Sequence, residues 1–180
     1  MTGKRLVGIV GMVACGLWST NLCAENGRAL IQGTAQGSSV TGTAAFSSTG
    51  EGTEAGLRVV ATVSNVTPGK HGLHIHQYGS CGAAGNAAGG HYNPNNVPHG
   101  FLPSDGLAKA HPGDLGNIDV GADGSGSLTV VLPGVSLNGS SNPVAGRAII
   151  LHEKPDDFGQ PTGNAGSRIG CGTILITKEE

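Results

Sequence analysis

The chain has 180 residues, and 10 lysines and arginines face 12 aspartates and glutamates for a formal net charge of −2. That length suits one domain of ordinary size, and 37% apolar residues can build a core, which excludes wholesale disorder. Glycine supplies 33 residues without a three-residue period, which excludes collagen, and the lack of any arginine-rich run or basic patch argues against nucleic acid as a partner.

Lys4 and Arg5 precede an apolar stretch over 6–18, too short to span a bilayer comfortably. With the small residue Ala24 behind it, this reads as a secretory signal peptide over 1–24, cleaved after Ala24, ahead of one domain over 25–180. The protein is therefore expected to be exported, to a periplasm or to the outside of the cell. Met12-Val13-Ala14-Cys15 is a rival processing site, a poor lipoprotein box that would place a lipid anchor on Cys15. Loss of the signal leaves Cys81 and Cys171, and an even pair in an oxidising compartment defaults to a disulfide.

Short runs rich in Val, Ile and Thr follow at 29–31, 40–46, 57–63, 73–75, 128–132, 148–151 and 173–177, separated by turn clusters such as 47–52, 68–69, 122–126 and 138–142. Seven or eight short strands at this spacing predict an all-β antiparallel sandwich or barrel. Two segments break the rhythm, 78–115 and 153–171. Loops of that length in a compact domain are functional or disordered. The first holds three histidines and each holds one cysteine of the expected disulfide, which favours function. Asn65-Val66-Thr67 and Asn138-Gly139-Ser140 match the glycosylation sequon, which matters only in a host that glycosylates.

The histidines are at 71, 74, 76, 91, 99, 111 and 152. His74 and His76 are two apart, so a strand points both rings to one face, while His71 has the opposite parity. A turn can bring His111 and Asp114 together. His152 ends the apolar run 148–151, a rigid platform for a ligand. Each feature alone is commonplace. Together, six histidines and an aspartate spread over the same loops and strand ends of an exported chain point to a metal site.

Five motifs then occur in order: Gly72-Leu73-His74-Ile75-His76, Gly90-His91-Tyr92-Asn93-Pro94, His111-Pro112-Gly113-Asp114-Leu115-Gly116-Asn117, His152-Glu153-Lys154 and Gly163-Asn164-Ala165-Gly166-Ser167-Arg168. The chain resembles the copper,zinc superoxide dismutase family, from about Ala29 to Thr177. The resemblance implies an eight-stranded antiparallel Greek-key β-sandwich or barrel with two long functional loops. It implies one copper ion per subunit on His74, His76, His91 and His152, and one zinc ion on His91, His99, His111 and Asp114, so that His91 bridges the two. The donor chemistry agrees: four imidazoles suit a redox-cycling copper, and three imidazoles with a carboxylate suit redox-silent zinc.

The resemblance also assigns the surroundings. Asp156 matches an outer carboxylate that ties His74 to His99 and fixes both rings. His71 matches a structural position. Arg168 matches the arginine beside the copper, and with His91 it forms the implied catalytic pair. The implied reaction converts superoxide to oxygen and hydrogen peroxide. The other reading on this fold is a copper chaperone or metal buffer, because function lives in sites and not in folds. Family members assemble in different ways, so a homodimer stays open.

Three departures stand out. Cys81 follows His76 by five residues, earlier than in the animal and plant enzymes and similar to the bacterial exported (periplasmic) branch. The interval from His99 to His111 is long. The interval from Asp156 to Arg168 is short and lacks much of the family's charged tract, leaving Lys154 and Arg168 to attract an anion.

Overall fold

In the computed structural model, the described residues are 26–50 and 55–177. The expected signal peptide over 1–24 and the lipid anchor at Cys15 lie outside the described residues. Alternation builds the first strands. In β1 (Asn26–Gly33), Ala29 and Ile31 are buried while Arg28, Leu30 and Gln32 face out. β2 (Thr41–Thr49) buries Ala44 and Phe46, and β3 (Gly56–Ser64) buries Leu57, Val59, Ala61 and Val63. A period of two sorts these side chains to opposite faces of a pleated strand.

The chain continues through β4 (Gly69–His76), β5 (Asp114–Val120), β6 (Gly126–Pro133), β7 (Ala148–His152), β8 (Arg168–Thr173) and β9 (Leu175–Thr177). The strand order is β2-β3-β6-β5-β4-β7-β8-β1, and β1 pairs back onto β2, so eight antiparallel strands close a barrel. Closure removes the exposed edges of an open sheet. The chain leaves β3, bypasses two places to lay down β4, then returns through β5 to β6 beside β3, which is the Greek-key pattern. β9 is a ninth, short strand that adds to β1. The expected all-β barrel with two long loops is what forms.

Two differences from the sequence reading have physical causes. β5 shows no apolar run in the sequence, because Gly116 at φ +84° and the polar residues Asn117 and Asp119 interrupt Leu115, Ile118 and Val120, which are nevertheless buried. The last run divides into β8 and β9, and β8 starts at Arg168, inside a segment expected to be loop. The 77–113 connection also contains α1 (Leu102–Asp105), a single turn.

Ile31, Phe46, Leu57, Leu73, Ile75 and Leu132 are among the side chains filling the barrel. Burying such a side chain stabilises the fold by roughly 1.5–3 kcal/mol. A second, smaller cluster of Ala88, Ala148, Ile150 and Cys171 seats the 77–92 loop on β7 and β8. The Cys81–Cys171 disulfide, with Cα atoms 5.7 Å apart and a separation of 90 residues, locks that loop to β8. Closing so long a loop in the unfolded chain is worth about 4 kcal/mol on the chain-entropy argument.

Candidate metal centre

Leu73 and Ile75 take the interior of the barrel, so the intervening His74 and His76 project from its outer wall. β7 lies beside β4 and ends in His152, and β5 opens with Asp114 opposite His74. The 77–113 loop then returns along β4. Gln77 N–H donates to Gly90 O (2.9 Å) and Tyr92 N–H to Ile75 O (2.8 Å), which sets His91 against His76. The loop 153–167 closes over the same wall, tied down by Gly72 N–H to Lys154 O (2.9 Å).

Two buried groups result. One donor atom from each of His74, His76, His91 and His152 lies within 4.8 Å of the others, and the same holds for His91, His99, His111 and Asp114. His91 belongs to both. The outer ring nitrogens show which way the donors face. His76 Nδ1 donates to Gly89 O (2.9 Å) and His152 Nδ1 to Gly166 O (3.2 Å). A carbonyl only accepts, so these contacts fix the tautomers and leave each Nε2 as a lone pair; the two Nε2 atoms are 3.3 Å apart. His74 Nε2 is 2.9 Å from Asp156 Oδ2, which leaves Nδ1 for the group. His91 Nδ1 and His111 Nδ1 each lie 3.0 Å from Asp114 Oδ1. Asp114 Oδ2 accepts the backbone N–H groups of Gly100 (3.0 Å) and His111 (2.9 Å).

The residues fit metal ions. His74 Nδ1 and His99 Nδ1 are buried side-chain atoms with no hydrogen-bond partner. Such orphans are rare and costly unless something else satisfies them. His99 Nδ1 lies 2.9 Å from Asp114 Oδ2 yet out of line for a hydrogen bond, as when two donors converge on a common point. Four imidazoles on one side, and three imidazoles with a carboxylate on the other, are respectively a copper-like and a zinc-like donor set.

At His76, His91 and His152 the electrostatics keep the lone pairs available. Burial pushes the His91 pKa down to about 4 and that of His152 to about 3, and burial lowers His76 as well. All three rings are neutral near pH 7. Burial alone would raise the Asp114 pKa, but its contacts with His111, His91 and His99 hold it well below the ordinary carboxylate range. For His99, burial opposes the charge, and the flanking Asp114 and Asp156 carboxylates outweigh it, raising the pKa to about 9.

Asp156 sits between the two groups. Its Oδ2 is 2.9 Å from His74 Nε2 and its Oδ1 2.9 Å from His99 Nε2. Asn117 of β5 holds the Asp156 backbone from both sides, accepting its N–H (2.7 Å) and donating to its C=O (2.9 Å). At Gly163, with φ +73°, a Cβ would collide with Asp156 Oδ1 and His99 Nε2, so only glycine lets the loop pass this close. His71 stands apart. Both its ring nitrogens face carbonyl oxygens, those of His152 (2.9 Å) and Thr67 (2.8 Å), so it stitches β4 to the end of β7.

Arg168, at the start of β8, donates through Nη1 to Gly85 O and through Nη2 to Gly89 O, both at 2.6 Å. Gly89 O thus receives both Arg168 and His76. Arg168 borders a cavity of about 190 Å³ whose walls include His76, His91, His152, Thr162 and Asn164. Sequence reasoning missed Gln160, Asn117 as a clamp, and Arg147. Gln160 accepts His99 N–H (3.0 Å) and donates to His99 C=O (2.8 Å). Arg147 lies 3.5 Å over the Tyr92 ring and donates to Gln77 O (2.6 Å) and Pro143 O (2.9 Å). Nothing about a lone Gln or Arg in the sequence flags these contacts, which exist only across loops.

Comparison with known proteins identifies the family. Residues 40–174 match the family described as copper/zinc superoxide dismutase. The chain is similar to the extracellular superoxide dismutase [Cu-Zn] of Caenorhabditis elegans, with 43% identity over 130 residues, 68% of this chain and 57% of that protein. It therefore spans a little over half of the nematode protein's length. It is likewise similar to superoxide dismutase [Cu-Zn] 2 of Brassica juncea, with 41% identity over 142 residues, 75% of this chain and 89% of the plant protein. With the match running through β2 to β8 and across both donor groups, the chain belongs to the copper/zinc superoxide dismutase family.

Proposed function

We propose that this protein is an exported superoxide dismutase that turns two superoxide anions and two protons into oxygen and hydrogen peroxide. The single observation that carries the reading is the pair of four-residue donor groups that share His91. In this reading His74, His76, His91 and His152 hold copper, and His91, His99, His111 and Asp114 hold zinc. Copper supplies the one-electron couple when bound, and zinc has no redox chemistry of its own.

The side chains do the rest. His91 Nδ1 is committed toward Asp114, so Nε2 is the atom free to face the cavity side and to hold or release a proton there. Arg168 borders that cavity, and its guanidinium, moored to Gly85 O and Gly89 O, is a fixed cation for orienting a small anion. The local positive charge opposes the net charge of −2. Asp156 keeps the rings of His74 and His99 in register.

Export is supported by the basic and apolar start of the chain, by the Cys81–Cys171 disulfide and by the similarity to a relative named extracellular. The early position of Cys81 supports the bacterial periplasmic branch within the family. Leu30, Leu175 and Ile176 are exposed on β1 and β9, which supports a homodimer through that face. A chaperone or metal buffer has no use for a moored arginine at the cavity, which favours the enzyme. The test is metal content paired with superoxide decay by stopped flow on the chain lacking residues 1–24. One copper, one zinc and rapid decay are expected; full metal loading without decay would favour the buffer.

A further inference from the structure

The contacts of His99 are unusual in their source. It sits outside any strand or helix, it is buried, and it carries four polar groups. Its ring nitrogens face Asp114 and Asp156. Among the described residues, its backbone N–H and C=O have one partner, the side-chain amide of Gln160. A buried backbone group left unpaired costs about 1–3 kcal/mol, so this amide satisfies two groups that no other described residue reaches. Gln160 is itself exposed and lies in the short loop, four residues after Asp156. The segment 156–160 thus grips His99 three times, once by a carboxylate on its ring and twice by an amide on its backbone. The Phe158 ring lies 6.5 Å from the His99 ring at 18°, covering the same residue.

We infer that Gln160 is a positioning residue for the zinc side: its amide fixes the His99 main chain, and through it the loop segment that carries Thr162 and Asn164 to the cavity. The inference rests on the proposed zinc role of His99. The amide is suited to this because it donates and accepts in one plane, matching a backbone that also does both. Asn117 makes the same two-way contact with Asp156 from β5. The two amides therefore bracket the zinc side, one rooted in a strand and one in a loop. Only the loop-rooted one lacks a scaffold of its own. Zinc-side geometry and loop position become one unit, so whatever frees His99 also frees the cavity mouth.

Two variants of the full chain test this. Gln160→Glu keeps the length and loses the donor, setting a carboxylate oxygen against His99 C=O. Gln160→Ala removes both contacts. Zinc affinity, read by competition with a chromophoric chelator, is expected to fall about tenfold in both. Copper affinity, read separately, should stay within about twofold because no copper-side donor touches Gln160. Exchange of the His99 backbone amide in the metal-free chain should quicken at least about tenfold. Unchanged zinc affinity with unchanged His99 exchange would overturn the inference. Equal losses of zinc and copper would overturn it too, since they signal general loosening. If the unaltered chain takes up no zinc, the proposed function falls, while the exchange measurement still decides whether Gln160 fixes His99.

Discussion

The two halves of the candidate metal centre, the copper and zinc sides of the proposed reading, are built by different means. On the copper side, His74 and His76 come from β4 and His152 from the end of β7, so the barrel itself sets their spacing, and backbone carbonyls orient two of the rings. On the zinc side, His99 and His111 come from the 77–113 loop, and their positions depend on Asp114, Asp156 and Gln160. The copper group is a product of register. The zinc group is a product of side-chain contacts between loops. The difference teaches where each is fragile: a strand-borne site survives the loss of an outer contact, whereas a loop-borne site is only as rigid as the groups that tie it.

Removing the tie with the most partners gives the largest expected effect. Asp114 faces His91 and His111 through Oδ1 and caps the backbone of Gly100 and His111 through Oδ2. Asp114→Ala is expected to lower zinc affinity by at least about 100-fold, beyond the range typical of an outer partner, while copper still binds. Chelator competition for each metal checks it. A parallel loss of copper would mean that the strand-borne half does not stand on its own.

The disulfide tests one of the places where the copper side leans on a loop. Gly89 O orients His76 and also receives Arg168, and Gly89 belongs to the loop that Cys81 pins to β8. The double variant Cys81→Ala with Cys171→Ala should lose about 2–5 kcal/mol of stability in urea unfolding. It should also blur the copper(II) spectrum of the loaded protein more than Asp114→Ala does. A spectrum unaffected by the cysteines would show that strand register alone aims His76.

The same contrast explains what could be read in the sequence. His74, His76 and His152 were legible because a period of two and an apolar run describe strands directly. Asp114 and His111 were legible as a turn pair, yet β5, which begins at Asp114, was not, because Gly116 and Asn117 break its apolar pattern. The pairing of His91 with both groups, and the places of His99, Asp156 and Arg168, came only from resemblance, since loop residues far apart in sequence carry no periodic signal. Gln160 and Arg147 were invisible for the same reason: their partners are backbone atoms, which have no sequence identity.

Arg168 is not among the donors of either group, and its proposed role is at the cavity. Arg168→Ile removes the cation at the cavity and its two carbonyl contacts, while β8 pairing beside it remains. Superoxide decay should slow by about tenfold at low ionic strength, with a smaller difference at high salt, because screening weakens attraction of an anion. Both metals should remain bound. Unchanged decay at low salt would remove Arg168 from the catalytic pair.

The smallest expected effect comes from Arg147, which braces the loop at the two points where it leaves and rejoins β4. Its guanidinium lies over Tyr92, next to His91, and bonds Gln77 O and Pro143 O. Arg147→Lys keeps the charge over the ring but replaces the two separate donors, Nε and Nη1, with a single nitrogen, and is expected to lose one of the two carbonyl bonds. One lost hydrogen bond is worth about 1 kcal/mol, which for a domain of this size lowers the melting temperature by about 2–4 °C. The backbone bonds of Gln77 to Gly90 and Tyr92 to Ile75 persist, so His91 keeps its place against β4 and affinities for both metals should be unchanged. If zinc affinity fell with copper affinity intact, His91 would have to be counted with the loop-held half of the centre, and the division between a strand-built and a loop-built side would run through the shared ring itself.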